Sequence, residues 1–212
     1  MSQKEYVMQT TTPLTVRIGA ETIWEQIDVA VERGETVGLV GQNGAGKSVL
    51  LSCLSGATDP DSGSITRREP GAAYLPQNGL LPAGLSGTEA VSFLRQLDSR
   101  ITDRWRSLAT EFGIEDALTA PIESYSVGMR RKLELACVLS TTASVYILDE
   151  PTAGIDPSIL PAVRDAIVSR TTADAAVVFA THRDGDLQRC DRLFSLSGQS
   201  LTETTDTAWG GQ

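Results

Sequence analysis

Lysine, histidine and aromatic residues are scarce in this sequence. Its 212 positions hold three lysines against 15 arginines, one histidine and only 5% aromatic residues. The 27 acidic residues outnumber the 18 basic ones, so the formal net charge is -9. Nucleic-acid binding needs clustered lysine and arginine to contact phosphates. The acidic balance therefore argues against nucleic acid as the main partner. It does not exclude a small phosphate ligand, because main-chain dipoles and one lysine can hold such a ligand.

Long apolar runs and paired cysteines are also missing. No run approaches the ~18 apolar residues that a membrane-spanning helix needs. The apolar N-terminal segment with a basic flank that is typical of a signal peptide is also missing. Cys53, Cys137 and Cys190 are far apart and odd in number. This spacing favours buried reduced thiols over a disulfide or a metal site. We therefore expect a cytoplasmic protein; if it works at a membrane, it does so through a partner.

What is present is an ordinary globular composition, with 41% hydrophobic residues in a chain long enough for one domain with a full core. Residues 5–31 alternate loosely, which predicts short strands joined by turns at Pro13 and Gly19 in an antiparallel patch. Later apolar runs alternate with helical patterns, which predicts an α/β fold with a mostly parallel sheet covered on both faces.

The block 78–140 has helical spacing and no strand pattern. It contains a predicted helix at 89–97 and a second at 101–112, with Trp105, Leu108 and Phe112 on one face and Gly113 after it. We therefore expect a helical subdomain inserted into a core formed by 5–77 and 141–198. A further helix is predicted over 157–170, and residues 202–212 are polar and predicted to form a loose tail.

A glycine-rich segment follows the apolar run 36–40 and leads into an apolar helix. Its spacing, G-x-x-x-x-G-K-S, is that of a phosphate-binding loop. Glycines allow a tight turn that brings main-chain N–H groups against phosphate oxygens. Lys47 supplies a point charge for the β- and γ-phosphates, and the hydroxyl of Ser48 is a Mg²⁺ ligand. The predicted binding residues are Gly41, Gln42, Asn43, Gly44, Ala45, Gly46, Lys47, Ser48 and Val49.

Two adjacent carboxylates follow a second buried strand, 145–148. Parallel α/β sheets bind ligands at the carboxyl ends of their strands. Asp149 is therefore placed to hold Mg²⁺, and Glu150 to polarise an attacking water. A solvent-exposed strand end before a proline turn is the alternative for this pair taken alone.

Two more segments carry polar groups at element ends. Ser126 precedes apolar positions that share one helix face, so it is predicted at a helix N-terminus, which favours anions. The cations at 130–132 oppose the helix dipole in that first turn, and a cap serine followed by a solvent-exposed basic face is a fair alternative for them. His182, the only histidine, follows the predicted buried strand 175–180.

Five motifs in order give the chain a family resemblance. It resembles the ATP-binding subunits of ABC transporters, which are P-loop NTPases, over about residues 14–198. The motifs are the loop at 41–48, Tyr74-Leu75-Pro76-Gln77, Tyr125-Ser126-Val127-Gly128-Met129-Arg130-Arg131-Lys132, Ile147-Leu148-Asp149-Glu150-Pro151-Thr152-Ala153-Gly154-Ile155-Asp156-Pro157 and Ala180-Thr181-His182.

The resemblance implies roles for individual residues. Gln77 matches a glutamine that contacts Mg²⁺ and the attacking water. Ser126 and Gly128 match the signature that caps the γ-phosphate of ATP bound to a second subunit. Asp156 matches an aspartate that crosses the dimer interface, and His182 matches a histidine that contacts the γ-phosphate and the catalytic glutamate. The implied function is ATP hydrolysis with Mg²⁺ that powers transport, of exporter type, with transmembrane permease subunits and a second identical or different ATP-binding subunit.

The sequence departs from the family pattern at several points. Val127 stands where glycine is usual, Met129 where glutamine is common, and Val49 where threonine is common. Ile18 occupies the position of an aromatic residue that stacks on adenine, and it offers only apolar contact. Trp24 is expected in the core rather than as a replacement for that aromatic residue.

Two alternatives remain open at the level of sequence. One is an ABC-type ATPase that does not transport, although the chain lacks the long heptad insertions of chromosome-associated members and the second cassette of ribosomal ones. The other is a catalytically weak regulatory subunit, suggested by Ile18 and Val127 and opposed by Glu150 and His182.

Overall fold

The computed structural model describes residues 5–18 and 21–204, without the side chains of Ile18, Glu21 and Ala173. The strands are β1 (Tyr6–Ile18), β2 (Glu21–Ile27), β3 (Ala30–Glu32), β4 (Thr36–Val40), β5 (Ser62–Arg67), β6 (Ala72–Leu75), β7 (Val145–Asp149), β8 (Ala176–Ala180), β9 (Arg192–Ser197) and β10 (Ser200–Thr204). The helices are α1 (Lys47–Ser55), α2 (Gly87–Leu97), α3 (Arg104–Glu111), α4 (Val127–Leu139), α5 (Leu160–Val168) and α6 (Asp184–Leu187).

The main sheet has six strands in the order β10-β9-β4-β8-β7-β6. All neighbours in it are parallel except the β9–β10 pair. Every residue of β4, β7 and β8 is buried, as expected where helices or a second sheet cover both faces of parallel strands. The α/β fold with a mostly parallel sheet is therefore confirmed.

The second sheet is antiparallel and consists of β1 with β2, β3 and β5. The antiparallel patch was predicted correctly, but the turn at Pro13 is wrong because β1 continues through it. Register shifts in β1 accommodate the proline: one lies between Thr12 and Thr15 in the pairing with β5, and one between Leu14 and Val16 in the pairing with β2. Such bulges tolerate a residue that has no N–H for the ladder. Gly19 lies outside the described residues.

Two apolar cores cover the faces of the main sheet. One lies between this sheet, α1 and the antiparallel sheet, and it contains Trp24 with 0% exposure. The other packs side chains of α3, α4 and α5 against the opposite face. Trp24 is thus a core residue, as expected.

Residues 78–140 contain α2, α3 and α4, and the described residues there show no strand, only isolated bridges. Ser86 begins α2 through a capping box with Glu89. The helix α3 begins at Arg104 rather than 101, because Ile101 instead pairs with Thr141 in one of those bridges. The division of the chain into a core and an inserted subdomain stays a prediction.

Two further boundaries differ from expectation. The helix predicted over 157–170 spans only Leu160–Val168, with Pro161 in its first turn, where proline is tolerated. The segment predicted as a loose tail begins with strand: β10 runs to Thr204 because Gly198, with φ 58°, turns the chain back to pair antiparallel with β9. Residues 205–212 lie outside the described residues.

Within the described ranges, no helix is long and apolar enough to cross a membrane. The three cysteines are free; Cys53 and Cys137 are buried and Cys190 is partly buried. Burial raises the thiol pKa of Cys53 to about 11 and that of Cys137 to about 12. These thiols are therefore unreactive core groups.

Candidate active site

The glycine-rich loop connects the buried strand β4 to α1 at the carboxyl edge of the main sheet. Gly44 and Gly46 have φ of 83° and 90°, conformations that residues with a side chain rarely adopt. A Cβ at Gly46 would also lie 2.7 Å from Ile23 Cγ2 and 2.9 Å from Trp24 Nε1. The loop therefore needs glycine both for its backbone conformation and for its close packing on β2.

Lys47 is the first residue of α1, and it folds back over the loop. Its Nζ donates hydrogen bonds to the main-chain oxygens of Gly41, at 2.7 Å, and Gln42, at 3.0 Å. Burial lowers the pKa of this lysine, while the nearby carboxylates of Glu150 and Asp149 oppose the shift. The ammonium is thus held at the loop by main-chain carbonyls, where it can act as a fixed point charge.

Asp149 ends β7, beside Ala180 at the end of β8. Glu150 follows in a left-handed conformation, with φ 48°. Such a conformation costs a residue other than glycine roughly 1–3 kcal/mol and is typical of functional sites. A hydrogen bond of 3.0 Å from Glu150 N to Ala180 O helps to hold this turn.

The side chain of Glu150 faces His182, which follows β8. Nε2 of His182 lies 3.0 Å from Oε1 of Glu150, although the geometry does not make a hydrogen bond. The Glu150 side chain is 15% exposed and the His182 side chain 49%. Burial raises the pKa of Glu150, assisted by the Asp149 carboxylate and opposed by His182 and Lys47. A carboxylate with a raised pKa is suited to act as a general base.

A cavity of about 420 Å³ lies over the phosphate-binding loop. Residues from four parts of the chain line it: β2, the loop with the start of α1, the segment after β6, and the ends of β7 and β8. They are Ile23, Asn43, Gly44, Gly46, Lys47, Ser48, Val49, Gln77, Asp149, Glu150 and His182. The structure therefore brings most of the predicted site residues to one place.

The oxygen-bearing side chains of this cavity fit a magnesium ion. Ser48, Gln77 and Asp149 all line it, and they offer the hydroxyl, amide and carboxylate oxygens that Mg²⁺ prefers. The buried Oδ2 atom of Asp149 has no hydrogen-bond partner among the described residues. A buried carboxylate oxygen without a partner is costly unless a ligand or cation satisfies it.

A second, larger cavity of about 600 Å³ shares part of this wall. Asn43, Gln77, Glu150 and His182 line both cavities. The second cavity extends towards α4, where its lining includes Tyr125, Val127, Arg130, Arg131 and Glu134. Gln77 is exposed and lies between the two spaces.

Ser126, Gly128 and Asp156 form a separate group, and they are not among the described residues that line either cavity. Ser126 caps α4, and its Oγ accepts a hydrogen bond from Met129 N at 3.1 Å. A Cβ at Gly128 would collide with the main-chain oxygen of Gly154. Asp156, which is exposed, is 3.8 Å from the ammonium of the buried Lys132. This group therefore combines a helix N-terminus with a flanking loop, outside the lining of the cavity around Lys47.

Some site residues were missed or misread from sequence. The alternative that residues 130–132 form a solvent-exposed basic face is wrong for Arg131 and Lys132, because both are only 5% exposed. Arg131 donates to the main-chain oxygens of Pro76 and Glu150, so it belongs to the site's wall. Ile23, two strands before the loop, also lines the smaller cavity. The signal for Arg131 was a cation near the N-terminus of a helix, which opposes the helix dipole, with Glu134 three residues later as a partner.

The predicted adenine contact at Ile18 is not covered by the structure, because its side chain lies outside the described residues. Val127, at the position where the family has glycine, has 75% of its surface exposed. It is the first residue of α4, next to Ser126, and among the described residues it lines the larger cavity but not the one over the phosphate-binding loop.

Comparison with known proteins identifies related sequences. The family model for ABC transporters matches residues 24–153. The ABC transporter ATP-binding protein YdbJ of Bacillus subtilis is 29% identical, over 92% of this chain and 71% of its own. The cytochrome c biogenesis ATP-binding export protein CcmA of Novosphingobium aromaticivorans is 33% identical, over 86% of this chain and 92% of its own. The Nod factor export ATP-binding protein I of Azorhizobium caulinodans is 30% identical, over 90% of this chain and 64% of its own.

Solved structures share the fold. The ATP-binding subunit of an ABC transporter superposes with a TM-score of 0.84, 24% identity and coverage of 94% of this chain and 90% of that one. CbiO1 from Clostridium perfringens, part of the ABC transporter complex cbiONQ, superposes with a TM-score of 0.71 and 23% identity. The superposition covers 94% of this chain and 88% of that one.

Proposed function

The chain belongs to the ABC transporter family as an ATP-binding subunit and ATPase, and we propose that the transport it powers is export. ATPases of this family bind ATP, generally with Mg²⁺, dimerise and work with transmembrane partners. Two related proteins are named for export, of Nod factor and in cytochrome c biogenesis. Export by this chain is supported by that relation, and the cargo is set by a partner subunit.

The observation that carries the proposed mechanism is the convergence of Lys47, Asp149, Glu150 and His182 on one cavity. In this mechanism the triphosphate lies along the loop 41–48, against main-chain N–H groups and the ammonium of Lys47. Ser48, Gln77 and Asp149 would hold Mg²⁺, which neutralises charge on the transferred phosphoryl group. Val49 borders the same space, while Ile18 is assigned an apolar contact with the base.

Glu150 is proposed as the general base for the attacking water. Its left-handed turn, just after β7, places the carboxylate in the lining of the cavity. Its raised pKa makes that carboxylate a stronger base. His182, 3.0 Å away, is proposed to orient that carboxylate and to contact the γ-phosphate. Gln77 lies between this cavity and the one towards α4, and is proposed to position the water.

Ser126, Gly128 and Asp156 are proposed to act on the ATP of a second subunit. The N-terminus of α4 attracts anions, yet these three residues do not line the cavity around Lys47. A second ATP-binding subunit, identical or different, would bring its own α4 N-terminus to this cavity. Closure of the dimer on ATP would then exclude water from the reacting phosphate.

The transmembrane partner is proposed to bind near α2. An apolar cleft of about 250 Å³ lies there, lined partly by Leu80, Leu94 and Leu97. Leu97 is 71% exposed and Phe93, four residues earlier, is 43% exposed. Large exposed side chains next to an apolar cleft are typical of interaction surfaces. Such a contact would place the subunit at the inner face of the membrane.

Direction of transport can be tested in proteoliposomes that contain the subunit with its permease, oriented so that the ATP-binding subunits face outward. Candidate cargo compounds are added either with ATP outside or trapped in the lumen. Export predicts that compounds on the ATP side stimulate hydrolysis and accumulate in the lumen. Stimulation only from the lumen would contradict export and indicate import.

A further inference from the structure

Arg131, on α4, contacts the main chain of two distant segments of the active site. Its Nη1 donates to Pro76 O at 2.9 Å. Its Nε and Nη2 donate to Glu150 O at 3.3 and 3.2 Å, and Nη2 also donates to Asp149 O. One guanidinium therefore joins the main chain of the residue before Gln77 to the main-chain carbonyls of Asp149 and Glu150.

Glu134, one turn later on α4, holds the other end of the segment 76–80. Its Oε1 accepts a hydrogen bond from Leu80 N at 3.0 Å, and its Oε2 lies 3.4 Å from Arg131 Nη1. A Cβ at Gly79 would collide with this carboxylate, so the loop packs directly on it. The segment that carries Gln77 is thus tied to α4 at both ends.

Both charged groups are almost completely removed from water. The side chains of Arg131 and Glu134 are 6% and 3% exposed, and burial lowers the pKa of Arg131. A buried ion pair seldom stabilises a protein more than apolar residues of the same size would, because desolvation offsets the attraction. Their value to the protein is better explained by the geometry that their hydrogen bonds impose.

We propose that Arg131 and Glu134 are positioning residues for ATP hydrolysis. Arg131 fixes the carbonyl of Glu150, and with it the left-handed turn that aims the carboxylate of that residue. The pair also fixes the segment 76–80, so that Gln77 and Glu150 keep one spacing set by α4. This inference rests on the proposed roles of Gln77 and Glu150.

The first test is the steady-state ATPase of Arg131→Gln, with ATP affinity measured separately. The shorter, neutral amide cannot reach all three carbonyls, and misplacement of catalytic groups by about 1 Å can cost on the order of 100-fold in rate. We expect kcat to fall at least about tenfold, whereas the Kd for ATP changes little because the hydrogen bonds of Arg131 go to Pro76, Glu134, Asp149 and Glu150 and not to the loop 41–48. Arg131→Lys keeps the charge and should recover part of the loss.

Arg170→Gln provides a matched control for loss of a buried arginine. Arg170 is 7% exposed and donates to a main-chain oxygen, that of Leu139, outside the site. This variant should lower the melting temperature, as Arg131→Gln does, but keep the kcat of the folded protein. Equal kcat in both variants, or an Arg131→Gln effect confined to KM, would overturn the proposal.

The milder variant Glu134→Gln keeps an acceptor for Leu80 N, and it provides a test if Arg131→Gln does not fold. The measurement is amide hydrogen exchange at residues 77–80 and 149–150, which needs no activity. We expect faster exchange there in Glu134→Ala and near-normal exchange in Glu134→Gln; unchanged exchange in Glu134→Ala would refute the proposal. Failure of the proposed roles of Gln77 and Glu150 would differ, because Glu150→Gln would then hydrolyse ATP at the unmodified rate while these exchange effects persisted.

Discussion

The imidazole of His182 and the carboxylate of Glu150 lie 3.0 Å apart, although the two residues are 32 positions apart in the sequence. They meet because β7 and β8 are neighbours in parallel, so their carboxyl ends open on the same edge of the sheet. Lys47 and Asp149 stand around the same cavity. This arrangement makes the chemistry of the site testable residue by residue.

Removing the carboxylate of Glu150 should stop turnover but not binding. We expect Glu150→Gln to lose at least about 100-fold in kcat, the range over which general-base catalysis contributes. The amide has nearly the same shape, so ATP should still bind and a closed dimer should accumulate, measured by gel filtration with ATP. Glu111→Gln, a change at an exposed glutamate of α3, is the control. Turnover at the unmodified rate would exclude Glu150 as the base.

Activity should rise with pH through the raised pKa of Glu150. Burial disfavours the charged carboxylate, so the folded pKa lies above the ordinary 4.5. The base works only when deprotonated, and protonation therefore removes activity below that raised pKa. The acid limb of kcat against pH should have its midpoint above 4.5. A midpoint at or below the ordinary value, measured with ATP saturating, would contradict the assignment.

Lys47→Ala should weaken nucleotide binding by removing the point charge at the loop. The main-chain N–H groups remain, so we expect affinity for ATP to fall about 10- to 100-fold, equivalent to roughly 1.4–2.8 kcal/mol. Isothermal titration with a nonhydrolysable ATP analogue and Mg²⁺ measures this loss. Arg189→Ala removes an exposed cation paired with Asp165 and serves as the comparison. Equal affinities of the two variants for the ATP analogue would show that Lys47 does not contribute to phosphate binding.

Gly128→Ala should impair the group formed by Ser126, Gly128 and Asp156 but spare the cavity around Lys47. The added methyl group would collide with the main-chain oxygen of Gly154, and overpacking of this kind costs about 1–3 kcal/mol. We expect weaker ATP-dependent dimerisation in the Glu150→Gln background, measured by light scattering, with unchanged ATP binding to the monomer. At Gly84 a new methyl group would meet nothing within 4 Å, so Gly84→Ala should dimerise normally. A dimerisation constant for Gly128→Ala that equals this control would argue against the proposed contact.

Local patterns were enough to identify the parts of this protein that depend on neighbouring residues alone. The phosphate-binding loop was recognised because its glycines and Lys47 lie within eight positions and its geometry is set by local backbone conformation. The capping position of Ser126 followed from helical spacing, because a cap bonds only to the next turn. The buried strand before Asp149 was predicted from its continuous apolar residues, since a strand covered on both faces excludes polar ones.

The environment of each charge was decided by the tertiary structure. The sequence does not distinguish Arg131 and Lys132 from Arg130; the burial of Arg131 depends on the packing of α4 against the segment 76–80 and the end of β7. Proline locally predicts a turn at position 13, whereas the bulges that let β1 continue through Pro13 depend on its partner strands. A sequence determines local conformation through near neighbours, whereas burial and the pKa of a group depend on residues that only the folded chain brings together.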